Sequence, residues 1–427
     1  MALSTISGQW ENSPLGRLIT AKYGKSLPGK SRQPGSVPVF GSNGIVGTHS
    51  EALTSGPTII IGRKGSSGEV NFSPTACWPI DTTYYVDDPG PFTFPFLYQL
   101  LSTLGLKELD RSTAIPGLNR EELYGIVVPV PHVDEQRLIV ERLDEIEHLG
   151  GAAAGSIARA RSAMTSFRQA ILAAACSGRL TGSWRERNSL ASVGTLLYDL
   201  RSELANSTQR GKVAPPNGND LLELPDTWAW ASLGEVADVQ VGGTPTRKEL
   251  NYWGGDIPWV SSGEVANCRI SLTRENITEA GLAKSSAKLY PRGTVLIAMI
   301  GEGKTRGQAA ILQTEATTNQ NVAGVLPNRD LVDPEYLWRW ALAQYEVTRA
   351  AGRGGNQSAL NAQKVRELAI PIPPLPEQRE IVRRVDELLK ISDEVVAKVD
   401  DTSSLLDRTS QAVLAKAFRG ELVETVG

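Results

Sequence analysis

The chain repeats itself, and this duplication constrains its fold more than any other feature. The segments GIVVPVPHVDEQRLIVERLDEI (125–146) and ELAIPIPPLPEQREIVRRVDELL (367–389) align at a constant offset of 242 residues. Ten of the 17 positions between 129 and 145 are identical, where chance would give about one. The same offset pairs Leu118-Asn119 with Leu360-Asn361. The sequence therefore predicts a fold with two similar halves.

The segments ahead of the two repeats correspond more loosely. Trp10 matches Trp228 at an offset of 218, and each is followed by a polar, glycine-rich stretch and then an apolar, β-like run, 58–61 and 295–300. The offsets differ by 242 − 218 = 24, so the second variable region is 24 residues longer. The order variable–repeat–variable–repeat favours one architecture that carries two different recognition surfaces.

Each repeat passes through a Pro-x-Pro, which ends a strand, into a long helical pattern with apolar residues four and three apart. In the first repeat this predicts a helix from about 133 to 177, roughly 65 Å long at 1.5 Å per residue. Because neither helix can bury its apolar stripe alone, we expect the two to pack on each other, antiparallel if the variable regions lie at opposite ends. The predicted helix-packing residues are Ile139, Leu143, Ile146, Ile157, Met164, Ile171, Ile381, Val385, Leu388, Val395, Val399, Leu406 and Val413.

Together these features predict an α+β fold in which two globular domains are separated by two long antiparallel helices. The halves would be related by a pseudo-twofold axis, which suits a duplex whose strands are also related by twofold symmetry. The predicted regions are a first variable domain (1–117), a first helical region (118–187), a linker with a short helix (188–225), a second variable domain (226–359) and a second helical region (360–427).

Composition narrows the class of protein. The apolar content of 41% and charged content of 21% are typical of a soluble globular chain. No run approaches the roughly 18 apolar residues that span a bilayer, and the first residues lack a signal-peptide pattern. Cys77, Cys176 and Cys268 lack the paired spacing of a disulfide framework or a zinc site. These observations predict a cytoplasmic protein without a bound metal or membrane contact.

The repeated segments resemble the specificity (S) subunits of Type I restriction-modification systems. Pro-x-Pro followed by Glu-Gln-Arg and a long helix looks like a region that this family carries once per half. Further segments are similar to the family's variable domains: VPVFGSNGIVG (37–47), GRKGSSGEV (62–70), GGTP (242–245), IPWVSSGEV (257–265) and TNQNVAG (318–324). The resemblance covers essentially the whole chain, and the order and duplication of the motifs are its specific part.

This resemblance implies a non-catalytic subunit with two target-recognition domains. Each domain would read one half of a split site in double-stranded DNA, with unread bases between the halves. The helical repeats would bind two methyltransferase (M) subunits, and restriction (R) subunits would join them. S-adenosylmethionine and ATP would be used by those partners, with no cofactor bound by this chain.

Candidate DNA-binding residues come from the glycine-rich loops. The net charge of −3 does not indicate a nucleic-acid partner, but the segment from Arg17 to Lys64 contains seven basic residues and only one acidic residue. A segment this basic could neutralise phosphates. Arg or Lys suits guanine, Asn or Gln suits adenine, and Ser or Thr is adaptable. For any one residue, ordinary turn or surface chemistry is an equally open explanation. The candidates are Lys22, Lys25, Ser42, Asn43, Arg63, Lys64, Ser66, Ser67, Thr244, Thr246, Arg247, Lys248, Ser261, Ser262, Lys304, Thr305, Arg306, Asn319, Gln320 and Asn321.

Three other functions are open alternatives. AMIGEGKT (298–305) matches a relaxed phosphate-loop pattern, but the strand-like RGQAAILQTEATT follows it where a phosphate loop leads into a helix. A methyltransferase would need a tetrapeptide of the Asn-Pro-Pro-Tyr type and a glycine-rich cofactor loop, and the sequence contains neither. A coiled-coil scaffold would explain the helices but not two divergent glycine-rich domains. The histidines have no metal or triad spacing.

Overall fold

The computed structural model describes residues 10–109, 117–206, 214–216, 221–301, 304–345 and 360–422. The chain forms two compact units. Unit 1 comprises Met1–Arg159 and Val399–Gly427, and unit 2 comprises Ala160–Lys398. Both long helices contribute to both units, so each unit combines one variable domain with parts of both helical repeats.

Unit 1 is an α+β structure of short strands and helices followed by the start of a long helix. Its strands are β1 Glu11–Pro14, β2 Lys22–Tyr23, β3 Val37–Gly41, β4 Gly44–His49, β5 Thr58–Gly62, β6 Val70–Ser73, β7 Trp78–Pro79, β8 Thr83–Val86 and β9 Val127–Val130. Its helices are α1 Leu15–Leu18, α2 Phe94–Thr103, α3 Arg120–Gly125 and the first part of α4 Val133–Cys176.

Unit 2 repeats this series with additions. Its strands are β10 Ala229–Ser232, β11 Ala237–Val241, β12 Trp253–Val260, β13 Arg269–Ile270, β14 Glu275–Ile277, β15 Val295–Ala298, β16 Ala309–Leu312, β17 Thr317–Thr318, β18 Val322–Pro327 and β19 Ala369–Ile372. Its helices are α5 Gly182–Arg185, α6 Val193–Asn206, α7 Leu233–Val236, α8 Glu279–Ala283, α9 Pro334–Ala343, α10 Ala362–Glu367 and most of α11 Leu375–Ala417.

The sheets of the two units share one topology. In unit 1 they have the strand orders β2-β8-β5-β6, β4-β3-β7 and β1-β9, and in unit 2 β11-β18-β15-β16-β13, β14-β12-β17 and β10-β19. In both three-stranded sheets the middle strand pairs antiparallel with one neighbour and parallel with the other. Strand β13, at the edge of the larger sheet, has no counterpart among the described strands of unit 1. The predicted α+β class and internal repeat are confirmed.

Apolar β-branched residues build the centre of each larger sheet. Ile59, Ile60 and Ile61 of β5 are fully buried, as expected of a strand covered on both faces. Helix α2 covers this sheet in unit 1, with Thr93 as its N-cap and a proline in its first turn. Helix α9 takes the same place in unit 2, capped by Asp333. Both caps are short polar residues that accept backbone N–H groups left unpaired at a helix start.

The repeated Glu-Gln pair fastens each long helix to its own domain. In unit 1 the Gln136 Oε1 atom accepts a hydrogen bond from the N–H of Thr93 (2.7 Å), and its Nε2 donates to the carbonyl of Pro131 (3.0 Å). In unit 2 Gln378 makes the same two contacts, with Asp333 (2.8 Å) and Pro373 (2.8 Å). Both glutamines are buried. The duplicated motif is therefore structural: it fixes the angle at which the helix leaves the domain.

Segments of the two long helices share a core within each unit. In unit 1 Ile139 and Leu143, near the start of α4, belong to the same cluster as Ala417 and Phe418 at the end of α11. In unit 2 Ile171, near the end of α4, clusters with Ile381 and Val385 near the start of α11. In each unit the start of one long helix therefore shares a core with the end of the other, which is the pairing expected of antiparallel helices.

The remaining residues of the predicted seam are less buried. Ile146, Ile157, Met164, Leu388, Val399, Leu406 and Val413 are half-buried. Val395 is 36% exposed, whereas its neighbour Val396 is half-buried. Placing Val395 in the seam was therefore wrong: Val396 has the more buried position at this turn, although Val399, Leu406 and Val413 keep the predicted spacing beyond it. Similarly, a Cβ atom added to Gly150 or Gly151 would meet nothing within 4 Å among the described residues, so no close neighbour explains these glycines.

Candidate nucleic-acid interface

The candidate residues of unit 1 cluster at strand ends. The Ser42-Asn43 turn follows β3, and the 63–67 turn follows β5. A Cβ atom built on Gly62 would lie 2.9 Å from the carbonyl oxygen of Ser42, and one on Gly65 would lie 3.5 Å from its Oγ. Two turns that are twenty residues apart in sequence therefore form one loop surface.

Equivalent strand ends meet in unit 2. The hydroxyl of Thr244, beyond β11, donates to the side-chain oxygen of Gln320, beyond β17, at 2.5 Å. The N–H of Asn319 donates to the carbonyl of Val260, at the end of β12 (3.0 Å). The N–H of Met299, just after β15, donates to the carbonyl of Asn321 (2.9 Å). Loops that follow β11, β12, β15 and β17 thus form one surface, like those that follow β2, β3, β5 and β7.

One glycine in each unit permits this close packing. A Cβ atom on Gly24 would lie 2.0 Å from the carbonyl oxygen of Ile80, and one on Gly242 would lie 2.3 Å from that of Thr318. Both distances are impossible for a side chain, so only glycine fits. The two glycines are 218 residues apart, the offset that relates Trp10 to Trp228.

The candidates differ in their exposure. The exposed ones are Lys22, Lys25, Asn43, Lys64, Ser66, Thr246, Arg247, Lys248, Lys304 and Gln320. The half-buried ones are Ser42, Arg63, Thr244, Ser261, Ser262, Thr305, Arg306 and Asn321. Ser67 and Asn319 are each 8% exposed, which makes them unsuitable for direct base contact. The side-chain oxygen of Asn319 instead accepts the N–H of Asn321 at 3.0 Å and shapes the turn.

Several of the polar candidates have structural partners. The hydroxyl of Ser261 donates to Glu264 (2.8 Å) in a capping box, so this serine holds a 3-10 turn at Ser262–Glu264. Lys22 pairs with Asp87 at 2.7 Å, and the hydrogen bond to that carboxylate raises the pKa of Lys22. Lys25 instead lies 5.8 Å above the Trp78 ring. Of the two lysines, Lys25 is the better placed to meet a phosphate.

Arg247 is held more firmly than its sequence context suggests. Its guanidinium donates to both carboxylate oxygens of Glu275, at 2.5 and 2.9 Å, and lies 3.7 Å from the centre of the Trp253 ring. The hydrogen bonds raise the pKa of Arg247 and lower that of Glu275. Trp259, which packs edge-on against Trp253, is buried. Arg247 can therefore contact DNA only by leaving or sharing this carboxylate.

The 304–306 turn does not have the architecture of a phosphate loop. Residues 302 and 303 lie outside the described chain, and the turn continues into strand β16. A working phosphate loop would lead into a helix whose N-terminus holds the anion. The described residues also contain no group of three or more His, Cys, Asp or Glu side chains that could hold a metal ion.

Sequence reasoning missed two residues of unit 1, Tyr23 and Arg120. Tyr23 is 51% exposed, and its ring centre lies 5.2 Å from the guanidinium carbon of Arg63 and 5.1 Å from that of Arg120. The signals that could have found them are their positions: Tyr23 precedes Gly24, and Arg120 follows the duplicated Leu118-Asn119.

Comparison with known proteins identifies the family. The family model described as "Type I restriction modification DNA specificity domain" matches residues 7–150 and 225–399, which is most of the chain and includes both loop surfaces. The chain belongs to this family. The predicted resemblance to Type I specificity subunits is confirmed.

Relatives of this specificity-domain chain include subunits from bacteria and archaea. It is 24% identical over 428 residues to the Escherichia coli EcoDI specificity subunit, covering 99% of this chain and 90% of that one. It is 28% identical over 204 residues to the Methanocaldococcus jannaschii MjaIX specificity subunit, covering 47% of this chain and 45% of that one.

Solved structures show the same fold for a Type I specificity chain. A chain from a type I R-M system, solved to address complex assembly and conformational transition, superposes with a TM-score of 0.69 at 17% identity, covering 98% of this chain and 99% of that one. The HsdS subunit from Thermoanaerobacter tengcongensis gives 0.53 at 19% identity, covering 98% of each chain. None of the described helices is both long and apolar enough to cross a membrane.

Proposed function

We propose that this chain recognises a bipartite DNA sequence, with the loop surface of each unit reading one half. The observation that carries the proposal is the shared topology: equivalent strand ends in the two units present loops whose side chains differ. One scaffold with two divergent surfaces is what two different half-sites require. Family membership supports DNA target recognition in general, and the two surfaces support the split site.

The chemistry of the loops suits a duplex. Exposed Lys25, Lys64 and Lys248 provide charges that phosphates attract. Exposed Asn43 and Gln320 provide side chains that can pair with adenine edges in the major groove. The paired helices would then set the number of unread base pairs between the halves.

In this role the chain performs no catalysis and directs catalytic partner subunits to the DNA site. The helical repeats would bind two methyltransferase subunits, which restriction subunits join. S-adenosylmethionine and ATP would be bound by those partners, and the complex would act in the cytoplasm. The family and the relatives described above, all specificity domains or subunits, support the role of a specificity subunit.

Selection from a random duplex library tests the proposal. The chain is assembled with its methyltransferase partners, and bound duplexes are sequenced at several salt concentrations, because non-specific affinity falls steeply with salt. We expect enrichment of two short motifs at a fixed separation. A featureless output would favour a helical scaffold that never reads DNA, and a single continuous motif would contradict the assignment of one half to each unit.

A further inference from the structure

Two arginines and an exposed tyrosine form a cluster in unit 1 that the fold does not require. Arg63 follows β5, Tyr23 ends β2, and Arg120 begins α3. The guanidinium of Arg63 also lies 6.0 Å from the Tyr84 ring, and that of Arg120 lies 5.7 Å from the Tyr124 ring. Each arginine therefore has two aromatic neighbours at cation–π distance.

The aromatic rings that support the arginines are themselves anchored. The hydroxyl of Tyr84 donates to the carbonyl of Leu118 at 3.1 Å, and that of Tyr124 accepts the N–H of Ala21 at 2.9 Å. Tyr23 packs edge-on against Tyr84, with ring centres 5.1 Å apart. The arginines are thus held over fixed rings, and this arrangement reduces the rotamer entropy that each would lose on binding a ligand.

Both guanidinium groups keep donors for a ligand. Among the described residues, neither Arg63 nor Arg120 has a carboxylate partner. Both side chains are half-buried, and Arg63 donates one hydrogen bond to the described residues, from Nη2 to the carbonyl of Asp81 (2.9 Å), which leaves its other terminal N–H groups for a ligand. The Nε atoms of both arginines are buried and have no partner among the described residues, so a base would meet the terminal Nη groups. This differs from Arg247 in unit 2, which Glu275 engages with both oxygens.

The shared topology identifies what unit 2 has at the same three places. Tyr23 pairs with Tyr84 across strands, as Val241 pairs with Ala323. The N–H of Arg63 donates to Thr82 as that of Met299 donates to Asn321, in both cases at 2.9 Å. Arg120 follows Asn119 as Ala362 follows Asn361, and both asparagines cap the next helix. Tyr, Arg and Arg in unit 1 therefore correspond to Val, Met and Ala in unit 2.

This replacement separates function from folding. In unit 2, Val241 and Met299 simply pack in its apolar core. The same scaffold is thus built without the charged cluster. A contact to the phosphate backbone would be useful to both units, because every half-site has phosphates. Contacts that distinguish one half-site from the other are, by contrast, expected to differ between the units. A cluster that occurs in only one unit fits this second kind of contact.

We infer that the cluster Tyr23–Arg63–Arg120 is a base-reading site of unit 1 whose arginines recognise guanine in the half-site that this unit reads. Arginine pairs through two hydrogen bonds with the O6 and N7 atoms of guanine in the major groove, the commonest specific contact between proteins and DNA. The inference rests on the proposed bipartite function and adds the identity of a recognised base.

The test replaces cluster residues by those that unit 2 carries at the same places. Arg120→Ala and Arg63→Met are each assembled with the methyltransferase partners and subjected to selection from the random duplex library. We expect the preference for guanine at one position of a single half-site to fall by roughly 5- to 150-fold, while the other half-site and the spacing stay unchanged. Arg17→Ala, which removes an exposed charge from the same unit outside the cluster, is the matched control and should preserve both half-sites.

Two further measurements sharpen the result. Arg120→Lys keeps the charge but loses the paired donors, so it should relax the guanine preference while the salt dependence of binding stays close to that of the unmodified chain. If Arg120→Ala and Arg63→Met leave both half-site motifs unchanged, the inference is wrong. It is also wrong if they weaken all sequences equally and reduce the salt slope by about one, the behaviour of a phosphate contact. Failure of the proposed function looks different, since the unmodified chain would then yield no bipartite motif.

Discussion

Glu377 of the second repeat is a buried carboxylate whose loss should destabilise unit 2 strongly. Its side chain is fully buried and accepts hydrogen bonds from the Thr181 hydroxyl (2.7 Å), the Arg185 guanidinium (2.7 and 3.0 Å) and the Trp228 indole (2.9 Å). These contacts join helix α5 and its N-cap Thr181, the start of α11 and the segment that opens the second domain. Glu377→Gln removes the charge with little change in shape.

The expected magnitude follows from the unpaired arginine. Removing one partner of a buried ion pair costs about 3–5 kcal/mol, because the other charge remains buried. The Arg185 side chain is 18% exposed, so water can solvate it in part, and we expect a value near the lower end of that range. The side-chain amide introduced by Glu377→Gln keeps one oxygen that can accept from Trp228 or Thr181, which also limits the loss.

The first repeat provides the matched control. Glu135, at the equivalent place, is half-buried and accepts from the Trp10 indole and the His132 N–H, both at 3.2 Å, with no arginine partner in the described part of the chain. Glu135→Gln should cost only about 0.5–1.5 kcal/mol, the range of an ordinary hydrogen bond. Urea unfolding of the full chain, followed unit by unit through hydrogen exchange, measures both. Equal losses in the two variants would refute the reasoning.

Three more outcomes follow from the structure. Ile381→Asp places a charge in the unit 2 core and should lower the free energy of unfolding by at least about 3 kcal/mol. It should also reduce co-purification of methyltransferase partners more than it changes the recognised sequence. Val395→Asp, at an exposed site, should do neither, and equal effects of the two variants would contradict the packing. Hydrogen bonds from Arg383 and Arg384 lower the pKa of Glu380 from 4.5 to about 2. The stabilisation by ionised Glu380 is therefore complete above pH 4.5 and is lost as the pH falls towards 2. Glu380→Gln should flatten that part of the acid-unfolding curve, and an unchanged curve would exclude a stabilising ion pair. Inserting whole helical turns at matched places in α4 and α11 should lengthen the unread spacer with both half-site motifs intact, as measured by library selection; an unchanged spacer would exclude the helices as its determinant.

Local patterns predicted the helices well. The step of three and four in the first repeat placed its helix at about 133–177, and α4 runs from Val133 to Cys176. The periodicity is local, so no tertiary information was needed. The same pattern misplaced Val395, which is 36% exposed beside the half-buried Val396, because spacing alone does not show which of two adjacent valines packs inward. The predicted domain boundaries and base contacts stay predictions.

The candidate site could be predicted only as a set of loops. That the Ser42 turn touches Gly62, or that Thr244 binds Gln320, depends on strand order, which a single sequence does not reveal. The cluster of Tyr23 and Arg120 joins residues almost a hundred positions apart. Residue type alone also suggested base contacts that burial prevents. Ser67 and Asn319 have side chains suited to base reading, but both are buried because their turns fold back on neighbouring strands.

Exchange of one variable domain tests most directly whether each unit reads its own half of the site. Residues 1–117 are replaced by the corresponding segment of another family member, the chimaera is expressed with its methyltransferase partners, and methylated sites in the host genome are sequenced. We expect one half of the recognised sequence to change while the other half stays the same. A change in both halves, or in neither, would contradict it.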